Sequence, residues 1–208
     1  LSGFVGYKNE RFSVFTNSSK TLGYEIFTAA HEMYHLIENA SIIKQNTVVE
    51  EAETIKKEAN EIAADFFAAE LLMPEADIMK EYERLIKISP LKKPDEALII
   101  NLQQEYFVEY KAITKRLAEL CIINDKTEEA LNRIIVKRNE LFKLTQKLGY
   151  SNQLNIPTQK VYLPKELLKA IETNYKNKNT TYDDLVALFG YCDLSPEDFG
   201  YEEDELTD

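Results

Sequence analysis

The 208-residue chain has only two histidines, and they stand four apart with a glutamate after the first: His31-Glu32-Met33-Tyr34-His35. No other feature constrains the fold as strongly. Around this pentad Ile26, Phe27, Ala30, Tyr34 and Ile37 recur at intervals of three and four, which predicts a helix entered at Leu22 with Thr21 as its N-cap. Positions four apart share one helix face, so both imidazoles can reach a single Zn²⁺ at about 2.0–2.1 Å. Glu32 lies about 100° further round the helix. From there it joins the same ligand set poorly, but it can act as general base and proton shuttle toward a water at the ion.

A catalytic zinc site needs a third protein ligand and an open fourth position. The chain offers no third histidine, and Cys121 and Cys192 show no CxxC spacing, so a carboxylate must supply it. A second helix is predicted from about Val48 to Met73, acidic at its start and increasingly apolar through Ile62, Ala63, Phe66, Phe67, Ala69 and Leu72, until Pro74 stops it. Its last three turns are nearly apolar all round, the composition of a helix in the middle of a core, where charged residues need partners. Glu61, Asp65 and Glu70 are the residues that need them. Glu61 is assigned as the third ligand, 26 residues after His35. Asp65, one turn on, is expected to accept the other ring N–H of a liganding histidine and so fix its tautomer. Glu58, a turn earlier, and Glu70, at a different helical phase, are the alternatives to Glu61.

Residues 4–16 carry β-branched and aromatic residues around a polar Lys8-Asn9-Glu10-Arg11 turn, the only convincing β signal, and read as a hairpin. After Pro74 the pattern predicts helices over 75–88, 96–106, 110–120, 126–148, 165–174 (opened by Pro164) and 182–189, with Ser195-Pro196-Glu197-Asp198 as a further helix start. No internal repeat is evident. Charge is uneven: residues 1–110 sum to −8, residues 111–178 to +7 and residues 179–208 to −10. An overall acidic chain repels phosphate backbones, and the second helix of the 98–120 pair mixes Lys111, Lys115 and Arg116 with Glu109 and Glu119, so direct nucleic-acid binding is not expected. No apolar run is long enough to span a bilayer. Two cysteines without a disulfide pattern fit a reducing cytoplasm. The chain opens on Leu1 with no leader-like segment, and its natural start is expected to lie upstream. The acidic end is expected to be a free tail, extended after Phe199.

The stretches FTAAHEMYH at 27–35 and EIAADFFAAELLMP at 61–74 together resemble the ImmA/IrrE family of zinc metallopeptidases, mainly over residues 4–74. The resemblance implies His31, His35 and Glu61 as zinc ligands and Glu32 as catalytic acid/base. More weakly, residues 98–123 are similar to a helical pair that follows the family core, with Arg116-Leu117 matching a recurrent pair. Tyr34 departs from the family, standing where a glycine is usual, as does the lack of a basic residue ahead of Phe27. Tyr34 is expected to pack, the other reading being a narrowed cleft or a phenol offered to an oxyanion.

These readings combine into an α+β, mainly helical fold: a zincin-like core with a small sheet packed on the HExxH helix, and a C-terminal helical region. The expected division is a metallopeptidase core over 1–90, a helical region over 91–150 and a C-terminal segment with an acidic tail over 151–208. The function implied is a zinc-dependent endopeptidase, cytoplasmic and regulatory, hydrolysing a protein substrate such as a helix-turn-helix repressor. The rival is a non-catalytic zinc-containing module that binds a repressor or DNA through the +7 block.

Overall fold

Residues 3–16 fold as the alternation predicts, into an antiparallel hairpin of β1 (Gly3–Lys8) and β2 (Arg11–Thr16) whose register runs from Gly3↔Thr16 to Lys8↔Arg11. Phe4 and Phe15 are cross-strand partners and stack with ring centroids 4.6 Å apart, the kind of pair that holds a two-stranded sheet. The computed structural model describes residues 2–8, 10–45, 54–159, 163, 165–190 and 194–202. Both strands pack on the HExxH helix, α1 (Leu22–Gln45). At its start the Tyr24 N–H donates to Thr21 Oγ1 at 3.4 Å, so Thr21 caps it. The mainly helical remainder makes the architecture α+β.

Helix α2 (Thr54–Leu72) packs against α1, and Pro74 then turns the chain into α3 (Glu75–Ile88). The expected start of α2 at Val48 lies outside the described residues. Next come α4 (Glu96–Tyr106), capped by the Asp95 carboxylate accepting from the Leu98 N–H at 2.8 Å, and α5 (Tyr110–Glu119). The α4–α5 link turns through Phe107 in the left-handed region (φ 55°) and buries Val108. Gly23 lies against the backbone of Val108 and Glu109 so closely that a Cβ there would come within 2.6 Å of it. The first turn of α1 is thereby seated directly on the α4–α5 link.

One continuous core runs through Met73, Ile78, Leu85, Leu98, Ile99, Ile100, Leu102, Ile113 and Leu117 to Leu131 and Leu141. It therefore joins residues on both sides of position 90. The helix predicted over 126–148 is two: α6 (Asp125–Val136) and α7 (Arg138–Lys147), broken at Lys137 (φ −95°, ψ 59°). Leu131 and Ile134 before the break and Leu141 and Thr145 after it are buried, while Arg138 beside it is exposed. Beyond α7 the chain returns to α1: Leu22 N–H donates to Ile156 O at 3.0 Å, and the Thr158 hydroxyl donates to Glu25 Oε1 at 2.6 Å.

Helix α2 also corrects an expectation. Ala64, Ala68, Ala69 and Met73 are buried, but Ile62 is 70% and Phe66 61% exposed, so α2 is a rim helix and not the centre of a core. An all-round apolar composition shows what a helix can bury, not how many neighbours it has.

The chain divides into two compact units, Leu1–Gln159 and Lys160–Asp208. In the second, α8 (Lys165–Lys176) and α9 (Tyr182–Gly190) bury Ile171, Leu185 and Phe189. Pro164, expected to open α8, lies outside the described residues. The acidic end is not free from residue 200 onward. Gly200 (φ 78°) turns the chain so that Tyr201 packs edge-on against Tyr175, with centroids 5.2 Å apart, and the Tyr175 hydroxyl donates to the Glu202 carbonyl at 3.1 Å. Apolar ring burial outweighs repulsion among the exposed carboxylates here. Residues 203–208 lie outside the described set.

Candidate metal centre

His31 and His35 sit one turn apart on α1 and both face α2. His31 meets Asp65, and His35, four residues later, meets Glu61, four residues earlier, so the two helices cross antiparallel. His31 Nε2 is 3.2 Å from Glu61 Oε2, His35 Nε2 is 3.4 Å from Glu61 Oε1, and the two Nε2 atoms are 3.2 Å apart. Ligand atoms about 2.0–2.1 Å from a tetrahedral centre stand roughly 3.3–3.4 Å from one another, so these three donors have the spacing a zinc ion requires. The chemistry of the set agrees. Asp65 Oδ1 lies 2.9 Å from His31 Nδ1, and a carboxylate can only accept, so Nδ1 donates and Nε2 is the ring atom left to face a metal. That atom faces a second imidazole and a carboxylate, and a cation at the centre of the three would be held by all of them.

Among the described residues His31, His35 and Glu61 form the group able to hold a metal ion. Glu58 is exposed and outside it, and Glu70 is engaged elsewhere. Glu61 is half exposed, so the cluster opens to solvent on its α2 side. Burial lowers the pKa of His35, against the opposing pull of Glu61, which favours the neutral, metal-binding form of the ring. Burial raises the pKa of Glu32, partly countered by His31 and reinforced by the Glu61 charge. A carboxylate so tuned is better suited to carry a proton than an exposed one.

A family model described as the IrrE N-terminal-like domain (Peptidase_M78) matches residues 2–118. The chain belongs to this family. No curated protein and no solved structure gives a match. Membership places a metallopeptidase-like domain on the hairpin and α1–α5, the elements that build the cluster, with a His-His-Glu group that could bind a metal ion. No helix among the described residues is long and apolar enough to cross a membrane.

Two further contacts place the site within the IrrE-like domain. Gly3 opens β1 directly over α1, and a Cβ there would come within 2.7 Å of both the Phe15 carbonyl and Thr28 Cγ2, and 3.0 Å from Glu32 Cγ. The hairpin thus sets the room available to Glu32. Tyr34 packs, its ring centroid 5.7 Å from that of His35 and 5.8 Å from that of Phe67. The expectation of packing describes what the ring does.

Sequence reasoning did not foresee the role of α5. Lys115 Nζ donates to Asp65 Oδ2 at 3.1 Å. Arg116, only 2% exposed, donates to the Glu70 carboxylate and, through Nε at 3.2 Å, to the Met73 carbonyl. Two of the three carboxylates of α2 that needed partners, Asp65 and Glu70, find them on adjacent residues of one helix, some fifty positions later. The requirement for partners was legible, and so was the Arg116-Leu117 pair. The pairing itself was not, because no local periodicity encodes it. Lys115 and Arg116, weighed above as part of a basic block, are thereby committed to Asp65 and Glu70.

Proposed function

We propose that the protein is a zinc-dependent endopeptidase with His31, His35 and Glu61 as metal ligands and Glu32 as catalytic acid/base. The observation that carries this reading is the convergence of two imidazoles and a carboxylate at 3.2–3.4 Å beside a partly buried glutamate. A bound zinc ion would supply positive charge that acidifies a water and polarises a peptide carbonyl. The protein's own residues do the rest. His31, held by Asp65 through Nδ1–H, keeps Nε2 aimed at the site. Glu32 takes the proton from the attacking water and returns it to the leaving amine nitrogen, one carboxylate acting as base and then acid. Gly3 leaves the space in which that side chain works.

The substrate in this proposal is a protein of the helix-turn-helix repressor class inside the cell, as the ImmA/IrrE resemblance implies, so the role is regulatory. The test is incubation of the purified, metal-loaded chain with the repressor encoded beside its gene. Cleavage by the parent and its loss in Glu32→Gln, with metal content retained, is expected, because an amide keeps the shape but cannot accept the proton. Equal cleavage by both would remove Glu32 from the mechanism, and cleavage by neither would reject this substrate class.

A further inference from the structure

One charged side chain at the site does nothing for the proposed chemistry directly. Lys115 reaches from α5 to Asp65 Oδ2 at 3.1 Å while Asp65 Oδ1 accepts from His31 Nδ1 at 2.9 Å, so an ammonium and an imidazole share the two oxygens of one carboxylate. Lys115 also stands 3.8 Å from Glu119. It is not needed to attach α5, whose Ile113, Arg116 and Leu117 are buried. With side chains 51% and 42% exposed, the Lys115–Asp65 pair contributes little to folding, on the scale of ordinary surface pairs.

We propose that Lys115 is a positioning residue for the metal centre, acting through Asp65 on the orientation of His31. The inference rests on the reading that His31, His35 and Glu61 hold the metal. A carboxylate held at one oxygen turns freely about its last torsion, which is broad for sp³–sp² bonds. Held at both oxygens, it presents a fixed lone pair to Nδ1–H, keeping the ring in the tautomer and rotation that aim Nε2 at the cluster. The match to the IrrE N-terminal-like domain runs to residue 118, so the helix that carries Lys115 lies within the domain and not in an appendage.

The alternative is that Lys115 acts only as a nearby charge, and the sign separates the two. By Coulomb repulsion alone a lysine close to a dication weakens its binding, so removing it tightens binding. Removing a positioning residue loosens it. The experiment measures the zinc dissociation constant of the full chain by competition with a chromophoric chelator, and the His31 tautomer in the metal-free protein by long-range ¹H–¹⁵N correlation. Lys115→Met is expected to raise the dissociation constant about five- to tenfold, below the full effect of losing a ligand's direct partner. It is also expected to turn a single His31 Nδ1–H tautomer into a mixture. Lys115→Arg restores both, Lys111→Met on the same helix changes neither, and in an Asp65→Ala background Lys115→Met has no further effect.

Unchanged or tighter zinc binding in Lys115→Met overturns the proposal while leaving the metal site standing. So does an effect of equal size without Asp65, or a lowered melting temperature that accounts for the loss. A parent protein that binds no zinc overturns both the metal reading and this inference.

Discussion

The contact between Arg116 and Glu70 is unequal, and the inequality predicts which half is costlier to lose. Arg116 is 2% exposed and Glu70 36%. Replacing Glu70 with methionine leaves a guanidinium buried, with the Met73 carbonyl as its remaining acceptor. Breaking a buried pair in this way costs about 3–5 kcal/mol. Replacing Arg116 with methionine removes the buried charge and keeps most of the volume. What is lost is its hydrogen bonds, with the Met73 carbonyl orphaned, while Glu70 turns to water. Part of that loss is returned because no guanidinium need be desolvated, leaving about 1–2 kcal/mol. Glu70→Met should therefore destabilise more than Arg116→Met, and the double variant should be more stable than Glu70→Met alone. Urea unfolding of the full chain, followed by far-ultraviolet circular dichroism and by emission from its twelve tyrosines in the absence of tryptophan, gives the midpoints. If Arg116→Met costs as much as Glu70→Met, or the double variant is the least stable of the three, the charge is not buried as described and the reasoning fails.

Three other perturbations have defined outcomes. Gly3→Val should cut peptide hydrolysis while zinc content stays at the parent level, because the added carbons meet Thr28, the Phe15 carbonyl and Glu32; parent activity in this variant would show that the hairpin does not confine Glu32. Asp65→Ala should weaken zinc binding on the order of ten- to a hundredfold in a chelator competition, and an unchanged constant would mean that the His31 contact does not orient the ring. Tyr201→Ala should destabilise the second unit by about 1–3 kcal/mol in thermal unfolding through loss of ring contacts with Tyr175 and Phe189, whereas no shift would restore the free-tail description of this end.

The sequence revealed local features well and long-range ones poorly, for physical reasons. Pro74 marks the start of α3 because it acts on the backbone within a turn of itself, so that helix was legible almost to the residue. The His31 and His35 pair was legible because helical geometry alone puts them on one face, and a carboxylate as third donor because no other ligand type was left, with Glu58 and Glu70 the alternatives to Glu61. The break at Lys137 was hidden, since neither a proline nor a glycine marks it. The exposure of Ile62 and Phe66 was hidden because a helix's neighbours are absent from its own composition. Lys115 and Arg116 were read as surface charge because their partners, Asp65 and Glu70, lie about fifty residues away. The His-His-Glu group was therefore legible in the sequence, while its contacts through Asp65 to α5 became visible only in the fold.

The proposed chemistry depends most on Glu61 closing the ligand set, and metal content tests that directly. Elemental analysis of the dialysed chain should find one zinc per molecule in the parent and in Glu58→Ala, and a marked loss in Glu61→Ala, because two imidazoles alone leave a structurally incomplete site. Full zinc retention in Glu61→Ala, or loss in Glu58→Ala with retention in Glu61→Ala, would contradict the assignment and with it the proposed chemistry.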